Sequence, residues 1–333
     1  MARDQAVGSL TSPRDPATDA PEETAIASPR RAASWPSVAV IVPTRDRPVM
    51  LARAVRSIVG QSYPGEIECV IVFDQSDPAE PTVELPAGRR VRLLTNTRTP
   101  GAAGARNTGI MASDAPIVAF CDDDDAWHAN KLRLQVGLLE NAPLGFVACG
   151  MRVHYADRTI DRPAPDSVSF PELVRKRHPE FVFTTFLLRR DALTEIGLLD
   201  EQVPGSSGED YDFLLRAARR GPIDAVSRPL ADAFWHQQSF FSQHWQTIAD
   251  GLEYLLGKHP ELAADPRGRA RIEGQAAFAH AALAHRAAAW RASFRALRGN
   301  PFERRPYLAL AVAAGIIPAS SIVRLANQRG RGI

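Results

Sequence analysis

The sequence predicts an α/β protein: a Rossmann-like, mainly parallel sheet with helices on both faces, followed by a helical C-terminal appendage. Three observations predict it. Short, continuous, β-branched apolar runs recur as far as Leu188, the pattern of strands buried on both faces. Segments with apolar residues at helical spacing alternate with them, as in βαβ units. Several of the runs end in acidic residues, at the edge where an open parallel sheet collects its ligands.

The elements follow in order. Residues 1–35 carry Pro13, Pro16, Pro21 and Pro29 among small and charged side chains. That segment has too little apolar surface to offset its ordering entropy and no signal-peptide stretch, so it is expected to be disordered. Val38 to Val42 reads as a buried strand ended by Pro43, and Leu51, Val55, Ile58 and Val59 share the face of a helix. Cys69 to Phe73 and Val91 to Leu94 are the next strands. After a glycine-punctuated stretch from Gly101 to Gly109 come a fourth strand, Ile117 to Cys121, and a helix lined by Leu132, Val136 and Leu139. Two further strands are expected over 146–153 and 181–188, then a short helix capped by Asp191 and ended by Gly197. The loop Gly205-Ser206-Ser207-Gly208 leads into a helix from about Tyr211 to Arg220.

Composition sets outer bounds. The 333 residues are 45% apolar and 23% charged, which excludes collagen-like, wholly disordered and disulfide-stapled classes. Cys69, Cys121 and Cys149 lie in apolar runs with no CxxC. They read as buried thiols of a reducing, cytoplasmic compartment. No apolar run reaches the about 18 residues of a spanning helix. The net charge of +2 is uneven: residues 256–333 hold 13 Lys and Arg against 4 Asp and Glu. The expected organisation is therefore a sheet domain over 36–245 and a basic, helical region over 246–333. Arginines scattered through Ala-rich helix without an aromatic pattern argue against nucleic acid. The apolar piece from Tyr307 to Ile317, flanked by Arg304, Arg305, Arg324, Arg329 and Arg331, suits a peripheral contact at the inner face of a membrane, or equally a helix packed on the sheet domain.

The strand ends carry the chemistry. They read Pro43-Thr44-Arg45-Asp46, Asp74-Gln75-Ser76-Asp77 and Asp122-Asp123-Asp124-Asp125. Acidic termini on one edge repel each other, and a hard divalent cation, Mn or Mg, offsets that repulsion. Asp-x-Asp aims two carboxylates from one turn and leaves coordination positions for phosphate oxygens. The alternative, an acidic turn capping the next helix, is weakened by the apolar strand before it and Trp127 after it. Gly101-Ala102-Ala103-Gly104 fits neither the dinucleotide fingerprint nor the phosphate-loop pattern, which argues against a nicotinamide or flavin enzyme. Arg106-Asn107 would offset the acidic edge near a diphosphate, or would simply be a surface loop. Glu209-Asp210 opens a helix, where acids suit the macrodipole; after a flexible loop, a carboxylate there also suits an incoming hydroxyl.

Together these segments resemble the family-2 inverting glycosyltransferases of the GT-A fold. The resemblance rests on Val40 to Pro48, Ser57 to Tyr63, Asp74-Gln75-Ser76, Ala105 to Gly109, Asp122 to Trp127 with Lys131-Leu132, Ile196 to Glu201, and Glu209-Asp210-Tyr211, in that order over residues 37–245. It implies that Pro43, Thr44, Arg45, Asp46, Asp74, Arg106, Asn107, Asp122 and Asp123 bind a nucleotide sugar, with Asp74 facing a base of the uridine type. It implies Asp122 and Asp124 as the DxD pair on a divalent cation, His236 as a further metal contact, and Asp210 as the general base with Glu209 beside it. The acceptor would be a hydroxyl, lipid-linked or on a cell-envelope glycan. A nucleoside diphosphate leaves without protonation when a cation absorbs its charge, so one base suffices and single displacement inverts the anomeric centre. Two other readings use the same edge. One is a non-catalytic nucleotide-sugar binder. The other is a sugar-phosphate nucleotidyltransferase, which would need a Gly- and Arg-rich loop after the first strand that is not there.

Overall fold

Val38 to Val42 are fully buried and form the body of β1 (Val38–Thr44), the strand around which the parallel half of the sheet is laid. The computed structural model describes residues 35–235 and 244–328. His236, and the expected disordered segment apart from Trp35, lie outside the described residues. After β1 come α1 (Pro48–Val59), β2 (Ile67–Phe73), β3 (Arg89–Thr95), α2 (Ala102–Met111) and β4 (Ile117–Phe120). β1 pairs in parallel with β2 and β4, and β2 with β3. Their side chains alternate between two cores, which is why the runs are continuously apolar. Val40 and Val42 pack with Leu51, Val55 and Ile58 of α1, while Ile41 packs with Ile110 of α2 on the other face.

The stretch from Gly101 to Gly109 is therefore mostly helix. Gly109 is required for its closeness: a methyl group there would stand 2.5 Å from Ile41 Cγ2, inside van der Waals contact.

The chain continues through β5 (Asp125–Trp127), α3 (Lys131–Leu139), β6 (Phe146–Tyr155), β7 (Arg158–Arg162), β8 (Ser167–Val168) and α4 (Phe170–Arg175). Then come β9 (Leu187–Arg189), α5 (Arg190–Ile196), α6 (Glu209–Ala218) and β10 (Ile223–Trp235). The sheet order is β3-β2-β1-β4-β9-β6-β10-β5, with β7 on β6 and β8 on β10. β9 is antiparallel to both its neighbours, β10 runs parallel to β6, and β5 is antiparallel to β10.

Three local expectations change. The strand expected over 181–188 is a single turn of 3-10 helix, Phe183–Thr185, and then the three residues of β9. Its aromatic residues fill the core, where Phe183 packs on Phe120 and Phe213. Asp191 lies inside the first turn of α5, where its Oδ1 accepts from the Ala192 amide at 2.7 Å; Arg189 stands at the cap position. β10, 13 residues long, was not foreseen. Pro229 in its middle argues against a strand, and the register shifts on either side of that proline show how the sheet admits it, as a bulge.

The C-terminal helices are α7 (Trp245–Lys258), α8 (Pro260–Ala264), α9 (Pro266–Ala282), α10 (Arg286–Gly299), α11 (Arg305–Ala313) and α12 (Ala319–Gln328). The described residues from Trp35 to Gln328 belong to one compact unit. Arg271 of α9 donates a 2.6 Å hydrogen bond to the Tyr211 hydroxyl of α6, and Lys258 and His259 both reach the buried Asp212. α11 is a packed helix, with Pro306, Ala309 and Ala313 buried. Among the described residues no helix is long and apolar enough to cross a membrane. The three cysteines are buried and free.

Candidate active site

Parallel pairing of β2, β1 and β4 sends their carboxyl ends to one edge, and the acidic strand ends gather there. The turns are tight. Asp46 and Gln75, just past β1 and β2, both hold left-handed backbone, with φ of 52° and 54°. Side-chain-bearing residues rarely adopt this conformation, and it clusters at functional edges. Asp74 is buried, and both its oxygens accept hydrogen bonds. Its Oδ1 accepts from Asn96 Nδ2 at 2.8 Å, and its Oδ2 from the Gly101 amide at 3.0 Å and Gln75 Nε2 at 3.1 Å. It thus ties the ends of β2 and β3 to the start of α2.

The Asp122–Asp125 run is held by cations and by the hydroxyls of Thr44 and Thr184. Thr44 Oγ1 donates to Asp123 Oδ2 at 2.7 Å, and Arg47 Nη1 donates to Asp123 Oδ1 and Asp124 Oδ2, both at 3.1 Å. Arg53, stacked 3.7 Å over the Phe234 ring, donates to the Asp124 carbonyl. Burial, reinforced by the charges of Asp122 and Asp123, pushes the Asp124 carboxyl up to about 6 despite Arg47. Asp125, deeper still, is raised well above the ordinary carboxylate range by burial first and by Asp124 and Asp122 next.

Arg106 links this run to α6. It is 4% exposed, lies 4.1 Å over the Phe183 ring, and donates from Nη2 to Asp122 Oδ1 at 2.6 Å and from Nη1 to Glu209 Oε1 at 3.0 Å. Burial works against its charge, but the two carboxylates outweigh that and raise its pKa. Glu209 is pushed up to about 7 by burial, with Arg106 opposing and Asp210 adding to the shift. On the next residue, Asp210 Oδ2 accepts from Arg177 at 2.7 Å and Oδ1 from the Tyr211 amide at 2.7 Å. Two ion-pair groups, Arg47 with Asp123 and Asp124 and Arg106 with Asp122 and Glu209, thus meet at the adjacent residues Asp122 and Asp123, and Asp210 follows Glu209 with its own partner Arg177.

Other expected residues sit differently. Pro43 lies within β1 opposite Val72. Arg45 and Asp46 are exposed at the turn, with their charged groups 4.0 Å apart. Asn107 is fully buried, and its amide is used to fix the 199–201 segment: Nδ2 donates to the Leu199 carbonyl and Glu201, and Oδ1 accepts from the Leu199 amide. A side chain so enclosed does not face a ligand, so its part in the site is to hold neighbouring backbone. Sequence reasoning missed Arg47, Arg53, Asn96 and Arg177. Arg47 sits inside the first motif, and its only signal was a basic residue beside acids. Arg177 gave none, since it meets Asp210 only through the fold.

The residues suit a hard cation. Asp122 and Asp124 are each one-third exposed at the side chain, and they offer oxygen donors from one turn. Among the described residues no three His, Cys, Asp or Glu side chains converge as a complete protein cage. Two carboxylates with open positions for phosphate oxygens match the usual habit of Mg and related ions.

Known proteins share this fold or resemble this sequence. The chain is 28% identical over 231 residues to UDP-Glc:alpha-D-GlcNAc-diphosphoundecaprenol beta-1,3-glucosyltransferase WfgD of Escherichia coli, covering 66% of this chain and 88% of that protein. It is 25% identical over 243 residues to the amylovoran biosynthesis glycosyltransferase AmsB of Erwinia amylovora, covering 68% and 79%. The solved mannosyltransferase PcManGT of Pyrobaculum calidifontis, in complex with GDP-Man and Mn2+, has the same fold, with a TM-score of 0.53 at 20% identity over 89% of each chain. The profile of glycosyl transferase family 2 matches residues 39–197, the span that holds β1, the Asp122–Asp125 run and Arg106, and over that span the chain is similar to that family.

Proposed function

We propose that this protein is a glycosyltransferase that moves a sugar from a nucleoside-diphosphate donor of the uridine type to a hydroxyl acceptor on a lipid-linked or cell-envelope glycan, with inversion. The observation that carries the reading is Arg106, which joins Asp122 at the end of β4 to Glu209 at the start of α6. The donor edge and the acceptor-side carboxylate thereby become parts of one electrostatic unit. WfgD acts with UDP-Glc on a diphosphoundecaprenol-linked GlcNAc by its name, which supports a lipid-linked acceptor met at a membrane surface.

In this reading Asp74, set rigidly by Asn96 and Gly101, receives the base, and Thr44 with Asp123 shapes the ribose side. Asp122 and Asp124 hold a divalent cation, which when bound absorbs the charge that develops on the leaving diphosphate. Asp210 Oδ2 takes the proton of the acceptor hydroxyl as its oxygen attacks the anomeric carbon and the bond to the diphosphate breaks. Glu209 and Arg106 keep that carboxylate and the diphosphate side in register, which is the positional part of the catalysis.

The test is Asp210→Asn. A general base contributes about 10²–10⁴-fold, so turnover on a diphospholipid-linked GlcNAc acceptor should fall by that factor while UDP-glucose binding with Mn stays within about twofold. Product configuration by NMR should be inverted relative to the donor. Unchanged turnover in Asp210→Asn would overturn the base assignment.

A further inference from the structure

Among the described residues, α10 presents a face that no other element covers. Its inner side, Ala289, Ala292, Ser293 and Ala296, is buried against α9 and α11. Its outer side carries Arg286, Trp290, Phe294 and Arg298, four exposed residues spaced by four. Residues so spaced form a single row along a helix. Trp290 and Phe294 are 41% and 52% exposed, with ring centroids 5.7 Å apart, and Arg291 flanks them. Arg286, Arg291 and Arg298 have no acidic partner among the described residues, whereas Arg295 is paired with Glu273 at 3.0 Å. Seven of the ten exposed large apolar side chains among the described residues fall between Trp290 and Leu325.

We infer that this row is a docking surface for an anionic lipid bilayer. Two aromatic rings bracketed by arginines match the layering of a membrane interface: rings at the headgroup–acyl boundary, guanidiniums on phosphate oxygens. The charge selects the partner. No Asp or Glu occurs between Glu273 and Glu303, so a second copy of this face would meet it with like charge. α10 is already fixed by its packing, so docking carries no cost of folding the helix. The sequence alone drew attention to Tyr307–Ile317, whose Ala309 and Ala313 are buried while Tyr307, Ile316 and Ile317 are exposed; the row that brackets two aromatic rings with arginines is one helix earlier. Its purpose rests on the lipid-linked reading of the acceptor, since it would bring the catalytic edge to a substrate confined to a surface.

The experiment uses the full chain in co-sedimentation with vesicles of phosphatidylglycerol and phosphatidylcholine, and with phosphatidylcholine alone. Binding should require the anionic lipid and weaken with salt. Trp290→Ser with Phe294→Ser should weaken it about tenfold. Arg286→Glu with Arg298→Glu should do at least as much, since each basic residue near such a surface is worth about fivefold. Both pairs are exposed, so thermal midpoints and UDP-glucose binding with Mn should match the unaltered chain. Equal binding to neutral vesicles, full binding by both variants, or a dimer in light scattering that only the unaltered chain forms would overturn the surface. If UDP-glucose binding persists while vesicle binding fails, the docking face falls and the transferase reading stands. Vesicle binding that depends on Trp290 without any nucleotide-sugar binding gives the converse.

Discussion

Arg177 donates to Asp210 Oδ2 across 2.7 Å while the Tyr211 amide holds Oδ1 at the same distance, so both oxygens of the carboxylate are fixed by partners on different segments. Arg177 follows α4, 33 residues upstream, and its guanidinium also lies 5.7 Å from the Tyr211 ring centroid. The proton of an acceptor hydroxyl has to go to a carboxylate oriented in this way, which makes Arg177 a positioning residue.

Replacing Arg177 by Ala should lower kcat about tenfold through lost orientation, with donor affinity unchanged. Arg177→Lys should recover part of that loss. Steady-state kinetics with a separate donor titration checks the division; an effect confined to donor binding would contradict it.

Arg106 is buried between Asp122 and Glu209, so Arg106→Met leaves two carboxylates without their cation. Breaking a buried pair in this way costs about 3–5 kcal/mol. Urea unfolding should show that loss, and adding Asp122→Asn with Glu209→Gln should restore a large part of it, because the stranded charges are then gone. No recovery in the triple variant would mean that Arg106 contributes through packing on Phe183 alone.

The pH dependence follows from Asp124 and Glu209. Burial leads both shifts, raising their pKa values from 3.8 to about 6 and from 4.5 to about 7. The folded chain then binds more protons than the unfolded chain between those limits, so their contribution is complete below pH about 4 and is lost as pH rises through 6 and 7. Without added cation, unfolding midpoints should fall between pH 5.5 and 8. Glu209→Gln should flatten that fall, and Mn should offset part of it by binding the ionised carboxylates. A Glu209→Gln series parallel to the unaltered chain would refute the assignment.

Gly109→Ala places a methyl group 2.5 Å from Ile41 Cγ2 and 3.1 Å from Val72 Cγ2. Both neighbours are core residues of the parallel strands, so overpacking should cost about 1–3 kcal/mol. A denaturant midpoint within error of the unaltered protein would show that α2 shifts freely on the sheet.

The parallel strands were legible because burial on both faces leaves a mark in every residue of a run, as in Val38 to Val42. β10 was not legible. Its apolar residues are interrupted by Asp224, Ser227, Arg228 and Pro229, and it becomes a strand only because β6, β5 and β8 provide partners. The same division runs through the site. Asp74, Asp122, Asp124 and Asp210 stood out as carboxylates next to apolar or glycine-rich segments, whereas Asn107, read as a ligand contact, is a buried clamp on Leu199 and Glu201.

The sequence by itself determined which strands run parallel at the centre and that acidic residues stand at the ends of three of them, because period, burial and strand-end chemistry are local properties of the chain. Only the tertiary structure decided which cation meets which carboxylate. Arg106 with Asp122 and Glu209, Arg47 with Asp123 and Asp124, and Arg177 with Asp210 are separated by 16 to 103 residues. Ion pairs act over a few ångströms of space regardless of distance along the chain, and that space exists only once the sheet and helices have packed.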